Sequence, residues 1–261
     1  MNKRLEDWIN WILIDELKSG IINAPKHLLG NHDYGDGQVI MVYRPHAEKV
    51  CVVSPTGKNR DEMECLSDGV YGFYSAKKKY KGTKYRIETT YQDGTTVVTA
   101  DAYAFDSQIT DFDTYLFAEG KHYDVYEKFG AHPMTIDGVK GTYFAVWAPH
   151  ARRVSVVGDF NMWDGALNPM QMMQTSGIYE LFIPDVAPGA VYKYQILTRD
   201  GEILYKADPY GNQCQVRPDN ANVVADLTGY KWKDTDWIEN RKQQTRETEL
   251  KKPMAIYECH L

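Results

Sequence analysis

The chain repeats itself. Tyr43-Arg44-Pro45-His46-Ala47-Glu48-Lys49-Val50-Cys51-Val52-Val53 returns as Trp147-Ala148-Pro149-His150-Ala151-Arg152-Arg153-Val154-Ser155-Val156-Val157, 104 residues on. The echo continues from Gly69-Val70-Tyr71 to Gly177-Ile178-Tyr179 and from Tyr85-Arg86 to Tyr192-Lys193. It runs on from Asp93-Gly94 to Asp200-Gly201 and from Ala100-Asp101-Ala102-Tyr103 to Ala207-Asp208-Pro209-Tyr210. A period near one hundred residues is too long for a solenoid unit and long enough for a whole small domain. The sequence therefore predicts two tandem copies of one fold.

Within each copy the apolar residues alternate. Val50 and Val52 flank Cys51, Val154 and Val156 flank Ser155, and Tyr192, Tyr194 and Ile196 are separated by Lys193 and Gln195. Tyr179, Leu181 and Ile183 alternate likewise with Glu180 and Phe182. Period two means strands with one buried face. Turn signals separate them at Ser54-Pro55-Thr56-Gly57, Gln92-Asp93-Gly94, Pro188-Gly189 and Arg199-Asp200-Gly201. Nineteen tyrosines and six tryptophans suit β-structure as well. Short strands at this spacing predict a mainly β fold of two immunoglobulin-like sandwiches. Residues 3–18 have a helical apolar period through Leu5, Trp8, Ile9, Ile12, Leu13 and Leu17, and Gly20 closes that helix. The reading divides the chain into an N-terminal helix (1–22), a first sandwich (23–114), a second sandwich (115–229), a polar connector (230–252) and one more strand (253–261).

The formal charge of −6 argues against a nucleic-acid partner. No apolar run reaches the roughly 18 residues of a membrane span, and Glu6, Asp7 and Asn10 interrupt anything resembling a leader. Four scattered cysteines contain no C-x-x-C pair, so no metal or redox motif is read and a cytoplasmic protein with free thiols is expected. His27 and His32 have no further ligands nearby in sequence and are read as polar loop residues.

Four segments carry a family resemblance. The stretch Tyr115 to Pro133, containing His122-Tyr123-Asp124-Val125-Tyr126-Glu127-Lys128-Phe129-Gly130-Ala131-His132-Pro133, resembles the segment before the second sandwich of bacterial glycogen branching enzymes. Leu28-Leu29-Gly30-Asn31-His32 and Gly158-Asp159-Phe160-Asn161-Met162-Trp163 are similar to that family's first and second units, and Met254 to Leu261 looks like its first barrel strand. The Gly-Asp-Phe-Asn-x-Trp word alone marks a module of carbohydrate-binding family 48, which also occurs in debranching enzymes and in the β-subunits of an energy-sensing kinase.

The resemblance implies two sandwiches ahead of a (β/α)8 barrel that cuts an α-1,4-glucan and rejoins it through an α-1,6 bond. The family's aspartate nucleophile and glutamate acid/base lie on later barrel strands, so this chain is expected to have no catalytic residue, to need no metal or organic cofactor and to be inactive alone. Glu258 without its barrel cannot hold the paired carboxyls of a retaining mechanism. Asp159, Asp164 and Asp208 are read as turn residues. Truncation ahead of the barrel is expected to bare a barrel-facing surface and invite self-association. Two other readings stand beside this one: a separate glycan-binding regulatory module, and the same region of a debranching or trehalose-forming relative.

Family 48 modules hold sugar with a tryptophan in the Asn-x-Trp turn, a second tryptophan after an Asp-Gly turn, a lysine on the sheet and an asparagine near the last strand. Carried onto this sequence, those places fall at Trp163, at Ile203-Leu204, at Lys193 and at Asn220 or Asn222. The implied ligand is an α-1,4-glucan such as glycogen or a malto-oligosaccharide. The competing reading makes Trp163 a packing anchor and Lys193 a solvated surface lysine. The first copy has Arg86 at the lysine place and no aromatic at the Trp163 place, so it is expected to be structural.

Overall fold

A computed structural model describes residues 2–243, 251, 253 and 256–260. Two compact units emerge, residues 1–226 and 227–261. The first opens with two short helices, α1 (Lys3–Trp8) and α2 (Trp11–Lys18). Strands β1 (Gly30–Tyr34), β2 (Gly37–Tyr43), β3 (Ala47–Val53), β4 (Arg60–Glu62), β5 (Glu64–Ser67), β6 (Val70–Ser75), β7 (Arg86–Tyr91) and β8 (Thr96–Thr99) follow. They form two antiparallel sheets, ordered β1-β2-β6-β5 and β4-β3-β7-β8. A helix α3 (Asp111–Ala118) then precedes β9 (Gly130–Ile136), β10 (Val139–Trp147), β11 (Ala151–Gly158), β12 (Gln171–Met172), β13 (Ile178–Pro184), β14 (Val191–Thr198), β15 (Ile203–Lys206) and β16 (Asn222–Val223). The second pair of sheets runs β12-β13-β10-β9 and β11-β14-β15, with β16 also on β14. Both halves are thus antiparallel sandwiches, as the alternation predicts.

One face of each sheet does meet its partner sheet. Ile40 and Val42 of β2 face Val50 and Val52 of β3 and Ile87 of β7. Phe144, Val146, Leu181 and Tyr179 meet Val154, Val156, Tyr192 and Tyr194 in the second half. The expectation of a single buried face fails, however, for the β2 and β13 sheets. Val39 and Met41 pack on their other side against Leu5, Ile9, Ile14 and Leu17 of the helices. Glu180 and Phe182 of β13 are likewise buried, under a layer that includes Phe105, Ile109 and Phe129. Period two records which face a side chain takes, not whether a third layer covers that face.

The single helix expected over 3–18 is two. Ile9 is extended (φ −64°, ψ 129°), and the Asn10 side chain caps α2 by accepting from the backbone N–H of Ile12 and Leu13 at 3.1 and 3.4 Å. An asparagine that satisfies two orphan donors of the next helix stops the previous one. The break rotates the apolar face, so Ile14 is buried and Ile12 is exposed.

The structure lengthens the repeat. Trp11–Lys18, Gly20, the one-turn helix Pro25–His27 and Gly30 recur 100 residues later as Asp111–Ala118, Gly120, Val125–Glu127 and Gly130. Gly30 (φ +103°) and Gly130 (φ +105°) each press against a tyrosine carbonyl, where an added Cβ would lie 2.7 Å from Tyr103 O and 2.9 Å from Tyr210 O. Only glycine fits such a close approach at positive φ. His32 Nε2 lies 3.1 Å from Leu29 O, and His132 Nε2 lies 2.8 Å from Phe129 O. A buried aspartate closes each copy. Tyr85 Oη donates to Asp101 at 2.6 Å and Tyr192 Oη to Asp208 at 2.7 Å, while the same carboxylates accept from the N–H of Tyr103 and Tyr210. Asp208 is therefore a core latch of the second copy rather than a turn residue, as its burial shows.

The two sandwiches share a seam. Met172 N donates to Asn23 O at 2.8 Å, Lys26 N to Gln171 Oε1 at 3.0 Å and Tyr103 Oη to Pro169 O at 3.0 Å. Beneath it Glu180 accepts from Tyr143 Oη at 2.5 Å and from the N–H groups of Gln108 and Ile109, with Lys26 Nζ at 3.8 Å.

In the second unit the expected bare connector contains an exposed helix, α4 (Thr235–Lys242). Tyr230 stacks edge-on with Trp232 at 4.9 Å, and Arg241 lies over Trp237 at 5.2 Å. The strand expected over 253–261 is not seen: residues 256–260 have no regular secondary structure, and Met254, Ala255 and Leu261 lie outside the described residues.

Candidate glucan-binding site

The Gly-Asp-Phe-Asn-x-Trp word folds as a turn leaving the end of β11. Gly158 is required there because a Cβ would stand 2.2 Å from Val191 O. Asn161 is buried and accepts from Gly158 N at 2.9 Å, while its Nδ2 donates to Val156 O and Asn168 Oδ1 at 2.9 and 2.8 Å. The motif asparagine thus clamps the turn rather than meeting a ligand. Met162 (φ +55°) and Trp163 (φ +60°) are consecutive left-handed residues. Two non-glycine residues in that region cost about 1–3 kcal/mol each and persist only where the surroundings impose them. Trp163 N donates to Gly158 O at 2.9 Å and its indole Nε1 to Asp159 Oδ1 at 2.8 Å. The ring is half-buried and held from both ends. Asp164 caps the following bend by accepting from Ala166 N at 2.9 Å. Asp159 and Asp164 serve the turn, as read from the sequence.

The turn then crosses the outer face of the β11–β14 sheet. Arg153 donates to Gly165 O at 3.3 Å and to Gln195 Oε1, and Gln195 Nε2 donates to Tyr205 Oη at 2.9 Å. Arg153, Ser155 and Gln195 are consequently buried although they point away from the sandwich core. Burial holds the Arg153 guanidinium below its usual range.

Lys193 stands on this face. It pairs with Val157 across the ladder, beside the Gly158–Tyr192 pair where the turn begins. Its neighbours Tyr192 and Tyr194 point inward and are buried. Lys193 Nζ lies 2.5 Å from Asn220 Oδ1. Burial separates the two candidate asparagines. Asn220 is exposed, whereas Asn222 is 1% exposed, accepts from Asp208 N at 2.6 Å and donates to Cys214 Sγ at 3.4 Å. Asn222 is a strut of β16, buried away from solvent.

The second aromatic place also changes. Leu204 pairs with Ile196, but Tyr205 pairs with Gln195, which shares the Lys193 face by strand parity. Tyr205 is 50% exposed. Tyr205 lies one residue beyond the Ile203-Leu204 place, and Ile203, paired with Leu197, shares its face. The face therefore presents the Tyr205 ring, an ammonium and an amide, with the Trp163 turn at its edge. In the first copy the lysine place is filled by Arg86, which donates back to Tyr85 O at 2.8 Å, and Arg60 pairs with Glu88 on the same sheet. No group of metal-ligating residues occurs among the described residues.

Residues 10–103 match the N-terminal domain of alpha-1,4-glucan branching enzyme GlgB, and residues 128–211 match carbohydrate-binding module 48, the isoamylase N-terminal domain. The 1,4-alpha-glucan branching enzyme GlgB of Synechocystis sp. is 45% identical over 239 residues, 90% of this chain and 30% of that protein. Over most of its length the chain is similar to 1,4-alpha-glucan branching enzymes. The domain models that match are both N-terminal ones. The GlgB of Nitrosococcus oceani is 40% identical over 250 residues, 95% of this chain and 32% of its own length. The chain spans about a third of the curated relatives it matches. The solved pullulanase from Anoxybacillus sp. LM18-11 covers 78% of this chain and 28% of its own at 19% identity, with a TM-score of 0.33, too weak a likeness to carry an argument.

Proposed function

We propose that the second sandwich holds an α-1,4-glucan strand for a glycogen-branching reaction carried out by a catalytic barrel in the same protein. The observation that carries this reading is the outer face that joins Tyr205, Lys193 and Asn220 beside the turn that holds Trp163. A glucan offers flat C–H faces and hydroxyl edges; rings suit the first and the Lys193–Asn220 pair suits the second. Trp163 and Tyr205 are the stacking rings, Lys193 and Asn220 the hydroxyl partners, and the first sandwich is structural. The relatives' names support α-1,4-glucan as substrate and α-1,6 branching as the reaction. Their greater length supports a barrel in cis. Exposed Phe112, Tyr115, Tyr123 and Tyr126 supply apolar surface for packing on it, and in the isolated chain that surface would pair copies. Four cysteines outside any disulfide suit a cytoplasmic protein.

A two-ring surface site binds weakly. Millimolar affinity corresponds to about −4 kcal/mol. Tethering to the enzyme makes that sufficient, because a polymer held at one point has a raised local concentration at another. Affinity electrophoresis in glycogen-containing gels tests the reading. The 261-residue chain should be retarded, Trp163→Ala and Lys193→Ala should run freely, and Arg86→Ala should behave like the parent. Equal mobility of all four with and without glycogen sinks the assignment.

A further inference from the structure

The seam between the sandwiches holds a cleft of about 670 Å³ that the site above does not use. One wall is the first sandwich, with Arg44, Tyr91 and Thr99; the other is the Trp163 turn, with Phe160, Asp164 and Asn168. We propose that this cleft is a second α-glucan subsite, continuous with the Trp163 face and filled by the same strand. The inference rests on the reading that the second sandwich binds α-glucan.

Its size falls within the roughly 300–1,000 Å³ typical of small-molecule sites. Its chemistry selects a neutral polyol. Tyr91 and Phe160 are half-exposed rings from opposite walls. Arg44 uses part of its donor fork on Tyr43 O at 2.8 Å and Thr99 Oγ1 at 3.4 Å, and guanidinium carries five N–H donors in all. Asp164 spends Oδ1 on Ala166, leaving Oδ2 for a hydroxyl. Asn168 spends its amide oxygen on Asn161 and keeps its amide N–H donors. Asp164 and Asp185 beside one arginine disfavour a phosphate or a nucleotide, which would meet net negative charge. The turn itself supplies the continuity: residues 160, 161, 162 and 164 line the cleft, and Trp163 sits between them in the chain with its indole on Asp159. A strand leaving the Trp163 ring at this turn reaches the cleft without crossing a domain.

Two linked contacts make binding depend on chain length. In NMR titrations of the labelled chain, maltotriose should shift the Trp163 indole and the Lys193 amide. Maltoheptaose should also shift the amides of Thr99, Leu167 and Asp185 and bind roughly tenfold more tightly. Tyr91→Ala should lose the second set of shifts and the length gain while keeping the first. Shifts confined to the Trp163 face with both sugars overturn the cleft and leave the proposed function standing. Shifts confined to the cleft overturn the Trp163 assignment and the continuity. No shifts at all overturn both. The mapping on the unmutated chain keeps the test decisive even where Tyr91→Ala unfolds.

Discussion

At the residue scale, the glycines and acids that repeat are those with no substitute. Gly130→Ala should lower stability by more than the strain alone, which is about 1–3 kcal/mol, because the new methyl would also meet Tyr210 O. Gly138 has φ +80° but open space around it, so Gly138→Ala should cost only about 1–2 kcal/mol. Urea midpoints of the pair separate clash from strain. Asp113 illustrates charge. Burial raises its pKa, but hydrogen bonds from Thr110 and His122 and the charge of Lys128 outweigh this and bring it down to about 2. A folded pKa below the unfolded value gives stability that is present above about pH 4 and lost as pH falls towards 2. At 1.36 kcal/mol per unit the ceiling is about 2–3 kcal/mol, and solvent screening brings the effect below it. Asp113→Asn should remove that acid-limb dependence in denaturant melts recorded from pH 5 to pH 2. Asp101 and Asp208 have the opposite sign. Desolvation raises both, so what they contribute is fullest below the ordinary carboxylate range and is lost as pH rises through their folded values.

At the element scale, the helix layer decides how much of each sheet is buried. Leu17 of α2 is 1% exposed, and Leu17→Ala should cost about 2–5 kcal/mol as a cavity in the layer over β2. Asn10→Ala removes only the cap and should cost about 1 kcal/mol, with the loss of amide protection in hydrogen exchange confined to α2. The strands were legible because alternation and turn residues are local signals. The break at Asn10 was less legible, since the apolar positions around it fit one helix as well as two. Helix α3 escaped because Phe112, Tyr115 and Phe117 do not make a strong apolar stripe; its Thr110–Asp113 capping box was the available signal.

At the scale of the whole molecule, the seam turns two copies into one unit. Glu180 gathers Tyr143, two backbone N–H groups and the Lys26 ammonium in a buried place, and burial there holds Lys26 below its usual range. Removing one partner of a buried charged cluster costs about 3–5 kcal/mol. Glu180→Ala should reach that figure and Glu180→Gln should cost less, because the amide oxygen still accepts from Tyr143. Hydrogen exchange should show the Gln108 and Ile109 amides losing protection first. If alanine and glutamine behave alike, the hydrogen bonds to Tyr143 and the backbone are not what the seam depends on.

The repeat, the alternation and the Gly-Asp-Phe-Asn-x-Trp word are properties of the chain read one residue after another. They determined the two sandwiches and the place of the turn, while Trp163 and Lys193 came as candidates from the family resemblance. Other features needed folding, because they depend on residues far apart in sequence meeting. Burial separated Asn220 from Asn222, and strand parity across a hairpin brought Tyr205 to the Lys193 face. Third layers buried the outer sides of β2 and β13. The cleft arises where Arg44 and Thr99 of one copy face Phe160 and Asp164 of the other. The copies share a pattern because sequence fixes local conformation. They differ in use because only the three-dimensional fold decides which side chains are neighbours and which are left facing water.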